Sequence, residues 1–509
     1  MAPQRIWSGF VLWMGLLASY SALAGNARPS VPLARIYKPE PTQTLWHMGF
    51  YSTGAALVDL DRDGWPELVL SNGNDLSPQP LVVYYHRKTA TPPVFTPSPN
   101  WYSGDIDYQG GLSVGDLNGD GWLDVAVAVL FDRYRTPDTG HIKVYLNHEG
   151  RLEDTPSYVT DSGFTPGGCA FADLDADGDL DLAVAVFNEA GSGAPGAGAA
   201  QRIYLNQGGR LASTPGWKSR TPLLSPEVVA ADVNQDGWMD LVFAAERASV
   251  FYGHAPEGGE VPLPREPQWV AERAAHLEGS VEYGVDVGRV GDGKGLAIAT
   301  ARNCHGSTSC RTGVFLYQPE QGSLPVWRYE RTENSSKLLL ADVNADGYLD
   351  LLTSQMGVQF AGAPFLFFEG SASGFGTKPA YRTRASPSIG QSLAVANLRR
   401  LHLETRHVRF APESRRAVVT LEDRRLDAIT GVRLDGVALE PSGYTWVPGQ
   451  NWLALARPLE PGQVLEVDYV RSPVLDVFTA SASPHLGNFF LFSGYVPPLP
   501  AVSPPPSPH

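Results

Sequence analysis

Residues 173–181, DLDADGDLD, carry aspartates at positions one, three, five, seven and nine, with Gly178 at position six. Calcium in proteins takes about six to eight oxygen ligands at about 2.3–2.6 Å, and alternating carboxylates on a tight loop supply them. The glycine permits the sharp backbone turn that such a loop needs. An EF-hand loop would continue to a glutamate at position twelve, where this chain has Val184, and the following LDLAVAVF favours a strand. The pattern therefore predicts a calcium loop between two β-strands.

The same plan recurs in four further segments, with Asp or Asn at position three. They are residues 59–67 (DLDRDGWPE), 116–124 (DLNGDGWLD), 232–240 (DVNQDGWMD) and 342–350 (DVNADGYLD). Positions one, three, five and nine are the predicted ligands, because each offers a side-chain oxygen. These ligands are Asp59, Asp61, Asp63, Glu67, Asp116, Asn118, Asp120, Asp124, Asp173, Asp175, Asp177, Asp181, Asp232, Asn234, Asp236, Asp240, Asp342, Asn344, Asp346 and Asp350. We expect about five structural Ca²⁺ ions, one in each of these loops; a polar turn is the alternative for any single loop.

The spacing of the loops predicts the architecture. The first four begin at Asp59, Asp116, Asp173 and Asp232, at a nearly constant period, and the last begins about two periods later, at Asp342. A repeat is therefore due near Asp286, whose loop lacks acids at positions three and five, and another near residue 398, after SLAVANL. Seven repeats of about 56 residues predict an all-β, seven-bladed β-propeller, with one four-stranded sheet per repeat. An open solenoid is the alternative, and the repeats at Asp286 and Asn397 are expected to bind no calcium.

The acidic loops resemble those of the FG-GAP/VCBS repeat family, the propeller type also found in integrin α-subunit heads. The resemblance covers roughly residues 33–400 and 473–495 and rests on the loop motif. It implies that each calcium loop joins the first and second strands of a blade on one face. It also implies that ligands meet the opposite face, where the strand connections 71–80, 131–140, 188–200, 302–312 and 355–364 are expected.

The N-terminal residues have the features of an export signal. Arg5 supplies a positive charge, residues 10–17 are apolar, and residues 22–24 (ALA) form a cleavage site. We expect residues 1–24 to be removed and the protein to be secreted, periplasmic or at the cell surface, without a transmembrane span. The Pro-rich residues 496–509 are expected to be disordered.

The net charge of −15 argues against a nucleic-acid partner. The five loops hold 18 of the 54 acidic residues, so much of this acidity is accounted for by the predicted metal sites. A protein or a glycan is the expected ligand.

Two features of the termini and of blade seven complete the predicted ring. Residues 33–50 are too short for a blade, so we expect them to supply the outer strand of blade seven and to remove two exposed sheet edges. The loop that starts at Asn397 does not reach its second strand until Asp476, whereas the other loops reach theirs at position nine. The propeller is therefore assigned to residues 33–398 and 473–495, with a small β domain inserted at residues 399–472.

The inserted domain is expected to project from the calcium face at the rim of blade seven. An immunoglobulin-like module or a large β-hairpin without its own core would both fit its alternating segments. It carries many arginines, among them Arg399, Arg400, Arg406, Arg409, Arg415, Arg416, Arg424 and Arg425. They form either a solvated face or a site for an acidic glycan or surface.

The chain has three cysteines. Cys304 and Cys310 lie in one strand connection, and in an exported protein they predict a local disulfide. A metal site that includes His305 is the alternative, although this is a poor ligand set. Cys169 is expected to be a buried free thiol.

Two functions fit the sequence. The first is a secreted, calcium-stabilised binding or adhesion module. The second is a calcium-dependent polysaccharide lyase or hydrolase, with Arg133, Tyr134, Arg135, His305 and His485 near the axis of the ligand face. The chain has no HExxH or P-loop motif, so the sequence favours binding.

Overall fold

The structure is a computed structural model of the 509-residue chain. It describes residues 32–38, 43–46, 50–136, 139–189, 198–256, 261–272, 280–293, 295–304, 312–331, 334–356, 363–383, 390–481 and 488–492. The predicted export signal and Pro-rich tail lie outside these residues and stay predictions.

The chain is all-β, as predicted. Within the described residues, helical structure is limited to α1 (Leu33–Ile36) and to 3₁₀ turns at Pro319–Gln321 and Pro441–Gly443, and no helix is long and apolar enough to cross a membrane. The strands before residue 220 are β1 (Gln43–Trp46), β2 (Ser52–Val58), β3 (Glu67–Asn72), β4 (Val82–Tyr84), β5 (Trp101–Tyr102), β6 (Tyr108–Gly115), β7 (Asp124–Phe131), β8 (His141–Tyr145), β9 (Asn147–His148), β10 (Arg151–Leu152), β11 (Tyr158–Val159), β12 (Phe164–Ala172), β13 (Asp181–Glu189), β14 (Arg202–Tyr204) and β15 (Trp217–Lys218). The later strands are β16 (Glu227–Ala231), β17 (Asp240–Ala244), β18 (Ser249–Phe251), β19 (Trp269–Val270), β20 (Val281–Gly288), β21 (Ala297–Asn303), β22 (Thr312–Tyr317), β23 (Pro325–Arg331), β24 (Ser335–Ala341), β25 (Asp350–Gln355), β26 (Leu366–Phe368), β27 (Tyr381–Arg382), β28 (Gly390–Ala396), β29 (Glu404–Phe410), β30 (Arg416–Thr420), β31 (Leu426–Leu434), β32 (Val437–Ala438), β33 (Tyr444–Trp446), β34 (Trp452–Leu459), β35 (Leu465–Arg471), β36 (Asp476–Ser481) and β37 (Asn488–Phe492).

Seven antiparallel sheets of four strands follow one another along the chain. We number them in chain order, and their strand orders are β2-β3-β4-β5, β6-β7-β8-β11, β12-β13-β14-β15, β16-β17-β18-β19, β20-β21-β22-β23, β24-β25-β26-β27 and β28-β36-β37-β1. The second strands are apolar on both faces, as in DVAVAVLF of β7, in which all residues but the last are buried. This composition fits a strand that lies between two neighbouring sheets.

The first strands of the sheets form a ring. Each one contacts the first strand of the next sheet, from β2 through β6, β12, β16, β20 and β24 to β28, and β28 contacts β2 again. Sheet 7 takes its fourth strand from the N-terminal segment, because β1 pairs with β37, with Gln43 opposite Leu491. Next to it, the Tyr37 hydroxyl donates a hydrogen bond to the Leu475 carbonyl at 3.0 Å.

All seven sheets share one register at the start of the second strand. The last residue of the first strand pairs with the residue nine positions later in sheets 1 to 6, as in Val58 with Glu67 and Ala341 with Asp350. In sheet 7, Ala396 pairs with Asp476, although a whole further segment of the chain lies between them. The Asn397 side-chain amide donates to the Ser472 hydroxyl at 2.9 Å, so the two ends of the intervening segment meet.

Residues 404–471, which we call the cap segment, form two further sheets, β29-β35-β31-β32 and β30-β34-β33. The segment has its own core, which includes Leu426, Leu453 and Val467. A second group, with Val418 and Trp452, joins the core of sheets 2 to 4. The expectation that this segment projects at the rim of blade seven is therefore wrong: it folds back over the ends of several sheets, because its apolar residues are buried against them.

Candidate metal centres

The carboxylate at position nine ties each acidic loop to the third strand of its sheet. One oxygen accepts the position-two N–H, as in Leu60 to Glu67 at 2.8 Å. The other accepts an N–H beyond the third strand, as in Asn147 to Asp124 at 2.8 Å. The same pair of contacts holds Asp181, Asp240 and Asp350. All five carboxylates are buried, so each presents oxygens in a fixed place.

The carboxylate at position one caps the turn that the position-six glycine makes. Its Oδ2 accepts the glycine N–H in four loops, at 2.7–3.0 Å, from Gly64, Gly121, Gly237 and Gly347. The position-six glycines have φ between 88° and 99°, the left-handed region that a side chain disfavours. The glycine thus directs the loop backbone toward the first carboxylate.

Positions three and five repeat their contacts in all five loops. The position-three oxygen accepts the N–H of position five, as in Asp177 to Asp175 at 3.3 Å and Asp346 to Asn344 at 3.1 Å. The position-five carboxylate accepts the N–H of position seven, as in Trp238 to Asp236 at 3.0 Å. The side chains at positions three and five therefore lie on one side of a common turn.

These loops fit a hard cation. In the first loop, one oxygen each from Asp59, Asp61 and Glu67 lie within 4.8 Å of one another, as do oxygens of Asp173, Asp175 and Asp181 in the third. Buried oxygens of position one have no hydrogen-bond donor among the described residues in three loops, namely Asp116 Oδ1, both oxygens of Asp173, and Asp232 Oδ1. Buried, unsatisfied carboxylate oxygens are costly unless an ion meets them.

The electrostatics support the same conclusion. Burial raises the pKa of Asp124, Asp232 and Asp342 to about 7 and that of Glu67 and Asp240 to about 8. Burial and then the charge of Asp177 raise the pKa of Asp175 to about 6. A divalent cation would favour the charged forms of these groups. The first loop differs in one ligand, because Lys88 lies 2.6 Å from Asp63 and is already a positive partner for that carboxylate.

Comparison with known proteins identifies the repeats. Residues 59–127 and 128–184 match the FG-GAP-like repeat family.

The chain carries FG-GAP-like repeats.

One similar solved structure is the Dos1 propeller, with 9% sequence identity, a TM-score of 0.40, and coverage of 89% of this chain and 94% of that one. Another is BBS1N in complex with ARL6DN, soaked with mercury, with 11% identity, a TM-score of 0.39, and coverage of 86% of this chain and 95% of that one. The β-propeller domain of Myceliophteria thermophila Cps50 (Swd1) has 9% sequence identity and a TM-score of 0.37, with coverage of 60% of this chain and 81% of that one. No curated protein sequence matches the chain significantly.

The fifth repeat differs from the sequence-based interpretation. Gly288 pairs with Ala297, so position one is Arg289 and the loop has the usual length. Asp286 instead lies within β20, opposite Ala299. Counting by period misplaced the loop because it lacks the acids that mark positions one and nine elsewhere.

The loop of sheet 7 keeps parts of the acidic-loop pattern. Arg400, at position four, has φ 51°, close to the 56° of Arg62 at the same position in the first loop. Asp476 takes position nine and is buried, and its carboxylate meets the Arg399 guanidinium. Arg400 precedes the cap segment and Asp476 follows it, so the cap segment stands in place of the middle of the loop.

The cap segment lies against the position-six glycines of three acidic loops. A Cβ at Gly178 would lie 2.4 Å from Cα and Cβ of Ala456. The backbone N–H groups of Ala417 and Val418 both donate to the Gly237 carbonyl at 2.9 Å. Arg400, just before the segment, donates to the Gly64 carbonyl. The cap segment and the residues just before it therefore contact the acidic loops directly.

A buried ion cluster joins the cap segment to the ring, and sequence analysis missed it. The Asp286 carboxylate forms ion pairs with Arg424 Nη2 at 2.7 Å and with Arg425 Nη2 at 3.2 Å. Beside it, the Trp452 indole donates to the Ala230 carbonyl at 3.2 Å, next to a cavity of about 170 Å³ between the first strands. The sequence-based interpretation placed Asp286 at the start of a loop and therefore gave no signal for this cluster.

The connections between second and third strands lie at the opposite ends of the sheets from the acidic loops. Among them, Tyr134 is 77% exposed, and the Arg133 guanidinium lies 5.3 Å from its ring centre. Arg135 lies over Tyr108 and Phe131. His305 and His485 lie outside the described residues.

The cysteines are in two environments. Cys169 is free and buried, as expected, and burial raises the pKa of its thiol to about 12. Cys304 is buried and disulfide-bonded. Cys310 lies outside the described residues, so the Cys304–Cys310 pairing stays a prediction.

Proposed function

We propose that this chain is an exported, calcium-stabilised, seven-bladed propeller that serves as a binding or adhesion module. Five Ca²⁺ ions would occupy the loops that begin at Asp59, Asp116, Asp173, Asp232 and Asp342. Their role is structural, since each ion would join the first, second and third strands of one sheet. A protein or glycan would bind the face opposite these loops.

The position of the cap segment favours the face opposite the acidic loops as the ligand-binding face. It covers much of the acidic-loop side through Trp452, Ala456 and the Asp286 cluster. On the other side, Tyr134 is exposed beside Arg133, and tyrosine and arginine are the residue types that dominate binding hot spots. Exposed connections on a rigid scaffold are also where binding sites concentrate.

The test measures binding of the full, calcium-loaded chain to panels of purified surface proteins and glycans, including uronic-acid polymers. Tyr134→Ser should weaken the binding that the unmodified chain shows by about tenfold or more. Tyr102→Ser is the matched control, because Tyr102 is 43% exposed on an outer strand. Binding that is insensitive to Tyr134, or no binding at all, would contradict the proposal, and unsaturated products from the uronic-acid polymers would favour a lyase.

A further inference from the structure

A cleft of about 530 Å³ separates the cap segment from the acidic loops of sheets 1 and 2. The propeller side contributes Arg62, Arg400 and the apolar Leu57 and Leu403. The cap side contributes the apolar Ile429 and all three residues of β33, Tyr444–Trp446. Ligand cavities typically measure about 300–1,000 Å³, and this cleft has that size. Its wall mixes apolar side chains with charged ones of both signs, since Asp59, Asp116 and Asp427 line it beside the arginines.

Two arginines on the propeller side occupy equivalent places in neighbouring loops. Arg62 donates to the Gly121 carbonyl and lies 4.6 Å from the Trp122 ring centre. Arg400, in the loop of sheet 7, makes the same two contacts with the loop of sheet 1. It donates to the Gly64 carbonyl, and its guanidinium lies 5.8 Å from the Trp65 ring centre. These contacts hold both guanidiniums at the cleft, and among the described residues each uses one N–H group in a hydrogen bond.

Neither arginine forms an ion pair with any residue that the structure describes, and both are exposed. Most arginines of the cap segment differ in this respect, since Arg424, Arg425, Arg433 and Arg471 all meet carboxylates. Two unpaired, positioned guanidiniums favour carboxylate ligands, which they bind through paired N–H groups.

The opposite wall presents the edge of a sheet. β33 pairs with β34 on one side, with Thr445 opposite Ala454, and it is the last strand of its three-stranded sheet. Its three residues are half-buried at the cleft. An edge strand offers backbone N–H and C=O groups to an extended chain, which is the basis of binding by strand addition.

We propose that this cleft binds an extended acidic peptide segment of a partner protein. The peptide backbone would pair with β33, its Asp or Glu side chains would meet Arg62 and Arg400, and its apolar side chains would contact Leu57, Leu403 and Ile429. The site is separate from the face that carries Tyr134, but it rests on the calcium ions of the proposed function, because Asp59 and Asp116 line the cleft and would repel an acidic peptide without them.

The experiment uses a fluorescein-labelled octapeptide of alternating valine and glutamate, with the calcium-loaded full chain, and measures fluorescence anisotropy. Two further octapeptides share its length: one with glutamine in place of glutamate, and one with alternate backbone nitrogens methylated. We expect both analogues to bind about tenfold more weakly or worse, because each lacks one of the two recognised features. Added salt should weaken the glutamate peptide in particular.

The matching variant is Arg62→Gln with Arg400→Gln, and the control is Arg409→Gln, an exposed arginine on β29 outside the cleft. The double variant should lose affinity for the glutamate peptide and the control should not. The three octapeptides decide the question on the unmodified protein even if the double variant unfolds. Equal affinity for all three, no peptide binding, or binding of an octagalacturonate in place of the peptide would overturn the proposal.

Discussion

The Arg399 guanidinium lies 3.1 Å from the carboxylate of Asp476. Asp476 holds position nine in sheet 7, the place of Asp124, Asp181 and Asp240 in three other sheets. In those sheets a metal ion is the proposed positive charge of the loop. In sheet 7 the chain supplies a positive charge itself, from position three.

Arg399→Met should therefore destabilise the protein strongly, even with calcium in excess. Asp476 is fully buried, and removing one partner of a buried pair costs about 3–5 kcal/mol. Urea unfolding measures the loss. Arg409→Met serves as the control because Arg409 is exposed, and adding Asp476→Asn to Arg399→Met should recover part of the lost stability. An unchanged midpoint for Arg399→Met would show that the pair has no structural role.

Native mass spectrometry should find about five calcium ions per chain, from the loops that begin at Asp59, Asp116, Asp173, Asp232 and Asp342. Sheet 5 has Arg289 and Ala297 at positions one and nine, and sheet 7 has Arg399 at position three. Neither set offers enough oxygens for the ion. A count of seven would disprove this assignment.

Excess chelator should lower the melting temperature substantially, because ions that bind the folded state alone stabilise it by mass action. Asp175→Ala should remove one ion, since Asp175 lies within 4.8 Å of Asp173 and Asp181 through their oxygens. Glu413→Ala changes the same charge at an exposed position of the cap segment and should retain all ions. A melting curve that does not respond to chelator would rule out structural calcium.

Gly178→Ala and Gly347→Ala form a matched pair that tests the docking of the cap segment. Both glycines have left-handed φ, 99° and 95°, so both substitutions should cost about 1–2 kcal/mol from backbone strain. At Gly178 the new Cβ would also strike Ala456, whereas at Gly347 it meets nothing within 4 Å. Hydrogen exchange in β34 should therefore rise in Gly178→Ala alone; equal exchange in both variants would contradict this docking.

The local chemistry of the loops could be predicted from sequence, because all determinants of each turn lie within nine consecutive positions. The glycine at position six and the oxygens at positions one, three and five indicate the turn. In the structure the side chains at positions one, three and five accept N–H groups of that turn, as in the second loop. The third-strand contact of position nine was not predictable, since it joins Asp124 to Asn147 across a distance that only the folded sheet closes.

The place of the cap segment could not be predicted either. Its alternating strands indicate a β domain, but they do not reveal that Trp452 reaches the Ala230 carbonyl or that Arg424 reaches Asp286. An arginine on a strand is equally compatible with solvent and with a buried carboxylate in a distant part of the sequence. The surface that such a residue meets is fixed by how the two folded parts fit together.

The pairing of β1 with β37 joins the two ends of the propeller sequence, with Gln43 opposite Leu491. During synthesis at about 5–20 residues per second, β1 must wait about 20–90 s before its partner exists. Until then sheet 7 lacks β37 and the paired β1, so no strand pairing joins the start of the propeller sequence to its end. The complete ring is thus a property of the finished chain, and a shorter nascent chain cannot yet close it.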